Sequence, residues 1–116
     1  MKKGENIFLE HILESIKDIE NFTKELPKDH FLKNKEKQNA SIRSIEVIGE
    51  AVKNLPAEFK KKHSVIPWAK IAGMRDRLIH HYFGVDLKRV WIVIKGDIPK
   101  LKKQIQDILT PKDQIE

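Results

Sequence analysis

Glu5-Asn6-Ile7-Phe8-Leu9-Glu10-His11-Ile12-Leu13-Glu14-Ser15-Ile16-Lys17-Asp18-Ile19-Glu20-Asn21-Phe22-Thr23-Lys24-Glu25-Leu26 is the stretch that sets the architecture. Its apolar side chains fall at Phe8, Leu9, Ile12, Leu13, Ile16, Ile19, Phe22 and Leu26, in repeated steps of three and four. That period marks an amphipathic helix with one broad stripe turned to a core. Pro27 ends the helix, because proline cannot donate to the helical ladder.

The same period returns further along the chain. Ile42, Ile45, Ile48, Val52 and Leu55 predict a second helix over about Phe31 to Leu55, with Asp29 placed to cap it and a very polar first half from Lys33 to Gln38. Gly49 inside it costs about 1 kcal/mol relative to alanine, which implies close packing against a neighbour. Residues 56–60 suit one short helical turn, and Ser64 to Pro67 is the clearest break. A third helix is expected from Pro67 to Tyr82, closed by Gly84. Asp86 then caps a last helix from Leu87 to Leu109, whose stripe keeps its register across Pro99 and so reads as kinked, with Gly96 easing the kink. No segment alternates as a strand would. The expected fold class is all-α, an up-and-down bundle of four to five helices. One domain is expected over residues 1–110, with a polar tail at 111–116 that frays.

Composition narrows the chemistry. The chain has 116 residues, 40% of them apolar, enough for one domain with a core. Lysine and arginine number 23 against 17 aspartates and glutamates, a formal charge of +6, and the sequence pI is about 9.5. Such a balance favours acidic partners such as nucleic acid. There is no cysteine, which removes disulfides, thiolate nucleophiles and cysteine-held zinc and fits a cytoplasmic setting. No long uncharged apolar stretch suggests a signal peptide or a membrane span. The basic run Lys60-Lys61-Lys62-His63 reads as a solvated surface.

The densest chemistry lies in Arg75-Asp76-Arg77-Leu78-Ile79-His80-His81-Tyr82. Arginine grips phosphate as a planar, permanently charged fork, and histidine gives or takes a proton near neutral pH. Together they suit a reaction on a phosphodiester. On a straight helix Arg75 and His80 are separated by about 140°. Either the helix loosens near His80 or a substrate group lies between the two. The plainer alternative is a histidine that only complements a helix C-terminus, with Arg75 and Arg77 as surface ion-pair partners. His81 and Arg77 read as ordinary exposed residues. His11, His30 and His63 show no ligand spacing, so no protein-held metal or cofactor is expected. Glu46 and Glu50, four apart, share a helix face and either line a cleft or pair with Arg43 as scaffolding, the second being favoured.

Arg75-x4-His80-x-Tyr82, with the polar Asp76 directly after the arginine, resembles the motif of the HEPN family. The tyrosine two residues past the histidine resembles the HepT-like toxin branch of HepT/MntA toxin–antitoxin pairs. Ile42-Arg43-Ser44-Ile45-Glu46-Val47-Ile48-Gly49-Glu50-Ala51 is similar to that branch's second-helix signature, and Pro67-Trp68-Ala69-Lys70-Ile71-Ala72-Gly73-Met74 to the lead-in of its motif helix. The resemblance covers nearly the whole chain. It implies a helical homodimer with its site in the cleft between subunits, and metal-independent RNase activity as a toxin, with tRNA among family substrates. It implies catalysis by Arg75 and His80, with Asp76 in the polar position. It also implies that Tyr82 is the residue an MntA-like nucleotidyltransferase antitoxin modifies with AMP, silencing the toxin. A non-catalytic module that binds nucleotide or RNA, and a plain helical interaction protein, are the competing classes.

Overall fold

Leu9, Ile12, Ile16 and Ile19 are wholly buried along one side of α1 (Lys3–Thr23), and Ile45, Ile48 and Val52 along the facing side of α3 (Lys35–Asn54). Each such side chain contributes about 1.5–3 kcal/mol through burial. The packing of these two helices is the spine of the molecule. Lys37 Nζ sits 5.8 Å above the Phe22 ring, so the end of α1 lies beside the start of α3 and the two run antiparallel. The computed structural model describes residues 3–80 and 84–110, and of Lys3, Ile79 and His80 it describes the backbone.

Around the spine lie shorter elements. α2 (Lys28–Phe31) and α4 (Ala57–Lys62) are brief turns that follow Pro27 and Pro56. α5 (Trp68–Ala72) and α6 (Met74–Leu78) pack on α3. α7 (Leu87–Ile92), a π-helical segment (Val93–Asp97) and α8 (Ile98–Leu109) form the last arm, with α8 against α1. The Lys102 ammonium donates to both carboxylate oxygens of Glu20 at 3.1 and 3.0 Å across that contact. The fold is the all-α bundle that the periodicity predicts.

The boundaries differ from expectation in four places. The second helix begins at Lys35 and is separate from α2, because Asn34 caps it by accepting from Lys37 N–H at 3.0 Å. Asp29 lies in the first turn of α2 without capping it. The expected third helix, Pro67 to Tyr82, is broken at Gly73 and ends at Leu78. Ile79–His80 and Gly84–Val85 are extended and pair antiparallel, Ile79 with Val85 and His80 with Gly84. Gly84 therefore closes a small ladder rather than a helix, at φ +79, a left-handed conformation that glycine adopts without strain. In the last arm the irregularity at Pro99 is a π-helical turn, in which Ile98 N–H reaches back to Val93 C=O. A proline ring clashes with the carbonyl four residues earlier in an α-helix, and the wider turn before Pro99 relieves that clash. Asp86 caps α7 as expected, accepting from Arg89 N–H at 3.1 Å. His81, Tyr82 and the tail at 111–116 lie outside the described residues.

Candidate active site

Gly49 brings the motif to α3. A Cβ built there would sit 3.3 Å from the Ala72 carbonyl oxygen, a tight contact, so hydrogen at this position lets the end of α5 lie directly on the α3 backbone without a shift. One helical turn back from Gly49 is Glu46, and three residues on from Ala72 is Arg75. The two meet: Arg75 Nε donates to Glu46 Oε2 at 3.0 Å. Arg75 Nη1 also reaches Asp76 Oδ1 at 3.5 Å. Trp68 fixes the start of this arm, its indole N–H shared between the carbonyls of Lys60 at 3.1 Å and His63 at 3.0 Å.

Glu46, Gly49, Ala72, Arg75 and Asp76 line a groove of about 380 Å³ between α3 and the α5–α6 arm. Arg43, Glu46, Glu50 and Lys53 occupy one face of α3 at offsets of zero, three, seven and ten, so that they follow one another along the groove. Arg75 and Asp76 form the opposite wall. Three cations thus face three carboxylates. Among the described residues, Arg43, Glu50 and Lys53 make no ion pair, whereas Arg75 makes two. The Arg75 guanidinium is held above its usual pKa, first by the hydrogen bond to Glu46 and then by that carboxylate's charge. It remains a cation throughout the physiological range.

The structure treats the sequence-derived candidates unequally. Arg75 and Asp76 share one groove wall, both exposed and open to a ligand. His80 belongs to the motif, but its backbone is extended and paired with Gly84, so the chain has left the helix by that point. The angular separation calculated for a straight helix does not apply, and the loosening near His80 is the alternative the fold adopts. The imidazole of His80 and the whole of Tyr82 lie outside the described residues. Arg77 points elsewhere: its guanidinium donates to the Lys70 carbonyl at 2.9 Å and borders a separate groove against α8. Glu46 is not the scaffold partner of Arg43 that its spacing suggested; its partner is Arg75, across 29 residues of sequence. No group of three or more His, Asp or Glu side chains converges as a metal site among the described residues. No helix among them is long and apolar enough to cross a membrane.

A guanidinium fixed at the wall of an open groove can hold an anionic tetrahedral centre. Comparison with known proteins places the chain in a family. The family model described as "Ribonuclease HepT-like" matches residues 12–108. A Thermococcus cleftensis protein named "Probable ribonuclease HepT" is 48% identical over 108 residues, 93% of this chain and 98% of that protein. A Caldanaerobacter subterraneus protein named "Putative RNase" is 49% identical over 102 residues, 88% of this chain and 91% of its own length. A Methanocaldococcus jannaschii protein named "Gamma-glutamylcyclotransferase and putative RNase" is 54% identical over 114 residues; this chain spans 98% of itself but 51% of that protein. No solved structure matches the chain at a significant level. The chain belongs to the HepT-like ribonuclease family.

Proposed function

We propose that this ribonuclease is the toxin half of a toxin–antitoxin pair. It acts in the cytoplasm as a homodimer that cleaves RNA, tRNA among the candidates, without a metal ion. The observation that carries this reading is the Arg75 guanidinium, anchored by Glu46 with further N–H donors left over at the groove wall. RNA carries a 2′-OH beside each scissile phosphate. Cleavage needs a base for that hydroxyl, an acid for the departing 5′ oxygen, and positive charge where the phosphorane gathers negative charge. One chain supplies one motif histidine, His80, and its groove is formally neutral. A two-fold dimer presents the same patch twice. In that arrangement one His80 takes the 2′-OH proton as O2′ bonds to phosphorus. The other His80 protonates the 5′ oxygen as its bond to phosphorus breaks. The two Arg75 side chains clamp the phosphate between them. The products are a 2′,3′-cyclic phosphate and a 5′-OH. Asp76 steadies the Arg75 fork.

Tyr82 supplies the off-switch in this reading. An adenylyl group added there by an MntA-like nucleotidyltransferase antitoxin brings bulk and a phosphate charge that competes with substrate for the Arg75 guanidinium. Modified protein should bind RNA more weakly than unmodified protein, and equal affinities would remove this account of silencing. The decisive test of the activity is RNA cleavage by wild type, Arg75→Ala and His80→Ala, with folding checked by circular dichroism. Both variants should be inactive yet folded. If wild type binds RNA and leaves it intact, the non-catalytic binding module is the better description.

A further inference from the structure

We infer that Glu46 is a positioning residue of the ribonuclease site: its carboxylate orients the Arg75 guanidinium, and it does so at a cost in affinity for RNA. The inference rests on the proposed function and deepens it.

An arginine side chain has four rotatable bonds, and an exposed one samples many orientations. Arg75 is 46% exposed, and packing alone does not fix it. Glu46 Oε2 takes the Nε–H at 3.0 Å, which fixes the plane of the guanidinium. Asp76 stands at 3.5 Å from Nη1 on one side. The Nη2 donors have no partner among the described residues. The plane of the fork is therefore set before a phosphate enters the groove that Arg75 lines. Glu46 is itself held in place, since its helix lies against the motif arm at the Gly49–Ala72 contact.

The charge arrangement favours this role over a purely stabilising one. The pair is largely solvated, with side chains 46% and 31% exposed, and exposed pairs add little to folding. An enzyme that bound a polyanion by net charge alone would not place Glu46, Glu50 and Asp76 among its three cations. Anions in an RNA groove weaken binding through repulsion. That cost is offset when one of them sets the geometry of the reaction, because a displacement of about 1 Å at a reacting centre can cost 10²-fold in rate. Supporting partners of this kind typically matter by about 10- to 100-fold.

Two substitutions separate orientation from charge. Glu46→Gln keeps an oxygen that can accept from Arg75 Nε but removes the negative charge. It should hold kcat within about threefold of wild type and lower KM several-fold at low salt, an advantage that shrinks as salt screens the site. Glu46→Ala removes both, and should lower kcat by about 10- to 100-fold while KM does not rise. A scaffolding role would move neither ratio in this pattern, and thermal melting should be alike in all three proteins. Arg75→Ala is assayed alongside. If it is inactive while Glu46→Ala turns over like wild type, the inference fails and the proposed function stands. If Arg75→Ala cleaves like wild type, both fail. A Glu46→Gln enzyme as slow as Glu46→Ala also overturns the inference. Should Glu46→Ala not fold, the Nε–H resonance of Arg75 decides in its place. That proton should be protected from exchange in wild type and in Glu46→Gln, and equal exchange with free arginine in wild type would refute the orientation.

Discussion

Arg75 lines the groove with its Nε–H given to Glu46 and its Nη1 beside Asp76. The residue was legible because a fixed cation, a carboxylate and a histidine are crowded together on one short segment. Its partner was not legible. Glu46 and Arg75 are 29 positions apart, and the spacing of Glu46, Glu50 and Arg43 suggested a local pairing instead. A signal did exist: a glycine inside α3 implied that a backbone passes close by, and the partner of that glycine lies three residues before Arg75. At this scale Arg75→Lys is informative. Lysine keeps the charge but loses the planar fork and the Nε contact. It should reduce cleavage by at least 10-fold in an initial-rate assay while leaving the melting temperature unchanged, since the pair it breaks is exposed.

Among the elements, the long helices were readable and the breaks were not. Stripes at Leu9, Ile12, Ile16 and Ile19, and at Ile45, Ile48 and Val52, repeat because each helix buries one face, and burial leaves its period in the sequence. Ile16→Ala should destabilise the fold by about 2–5 kcal/mol in a denaturant titration, because the side chain is wholly buried in the core. The Gly49 contact gives a second measurement. Gly49→Val adds bulk 3.3 Å from a carbonyl oxygen that belongs to backbone and cannot swing aside. The expected loss is about 1–3 kcal/mol, together with RNase activity as the α5–α6 arm is pushed away from Glu46. The Gly73 break, the two-residue ladder and the π turn escape a periodicity argument for a common reason. Each changes the backbone by a residue or two without altering which side chains are apolar. Pro99 and Gly96 marked the irregularity of the last arm as a kink, though not as a π turn; Gly84 was a cue as well, and its helix-closing role was the wrong one of two that a left-handed glycine can serve. Gly84→Ala should cost about 1–2 kcal/mol, because its φ of +79 is one that side chains resist.

For the molecule as a whole, the chain is a small basic bundle whose candidate groove is neutral. Its net charge of +6 draws RNA to the surface in general, while the groove contributes orientation more than attraction. A single copy brings one motif histidine to a reaction that needs both an acid and a base. The proposal of a two-fold dimer answers that shortage, and a solution mass of two chains by light scattering is the expected result. Purification with a neighbouring nucleotidyltransferase should add the mass of one or more adenylyl groups in intact mass spectrometry, mapped to Tyr82. The most direct test of the central claim, that paired Arg75 and His80 groups cleave RNA without a metal, is end-group analysis of RNA incubated with the enzyme and excess chelator. The account expects fragments ending in 2′,3′-cyclic phosphate from wild type and none from folded Arg75→Ala or His80→Ala. Undiminished cleavage by either folded variant, or loss of wild-type cleavage on chelation, would contradict it.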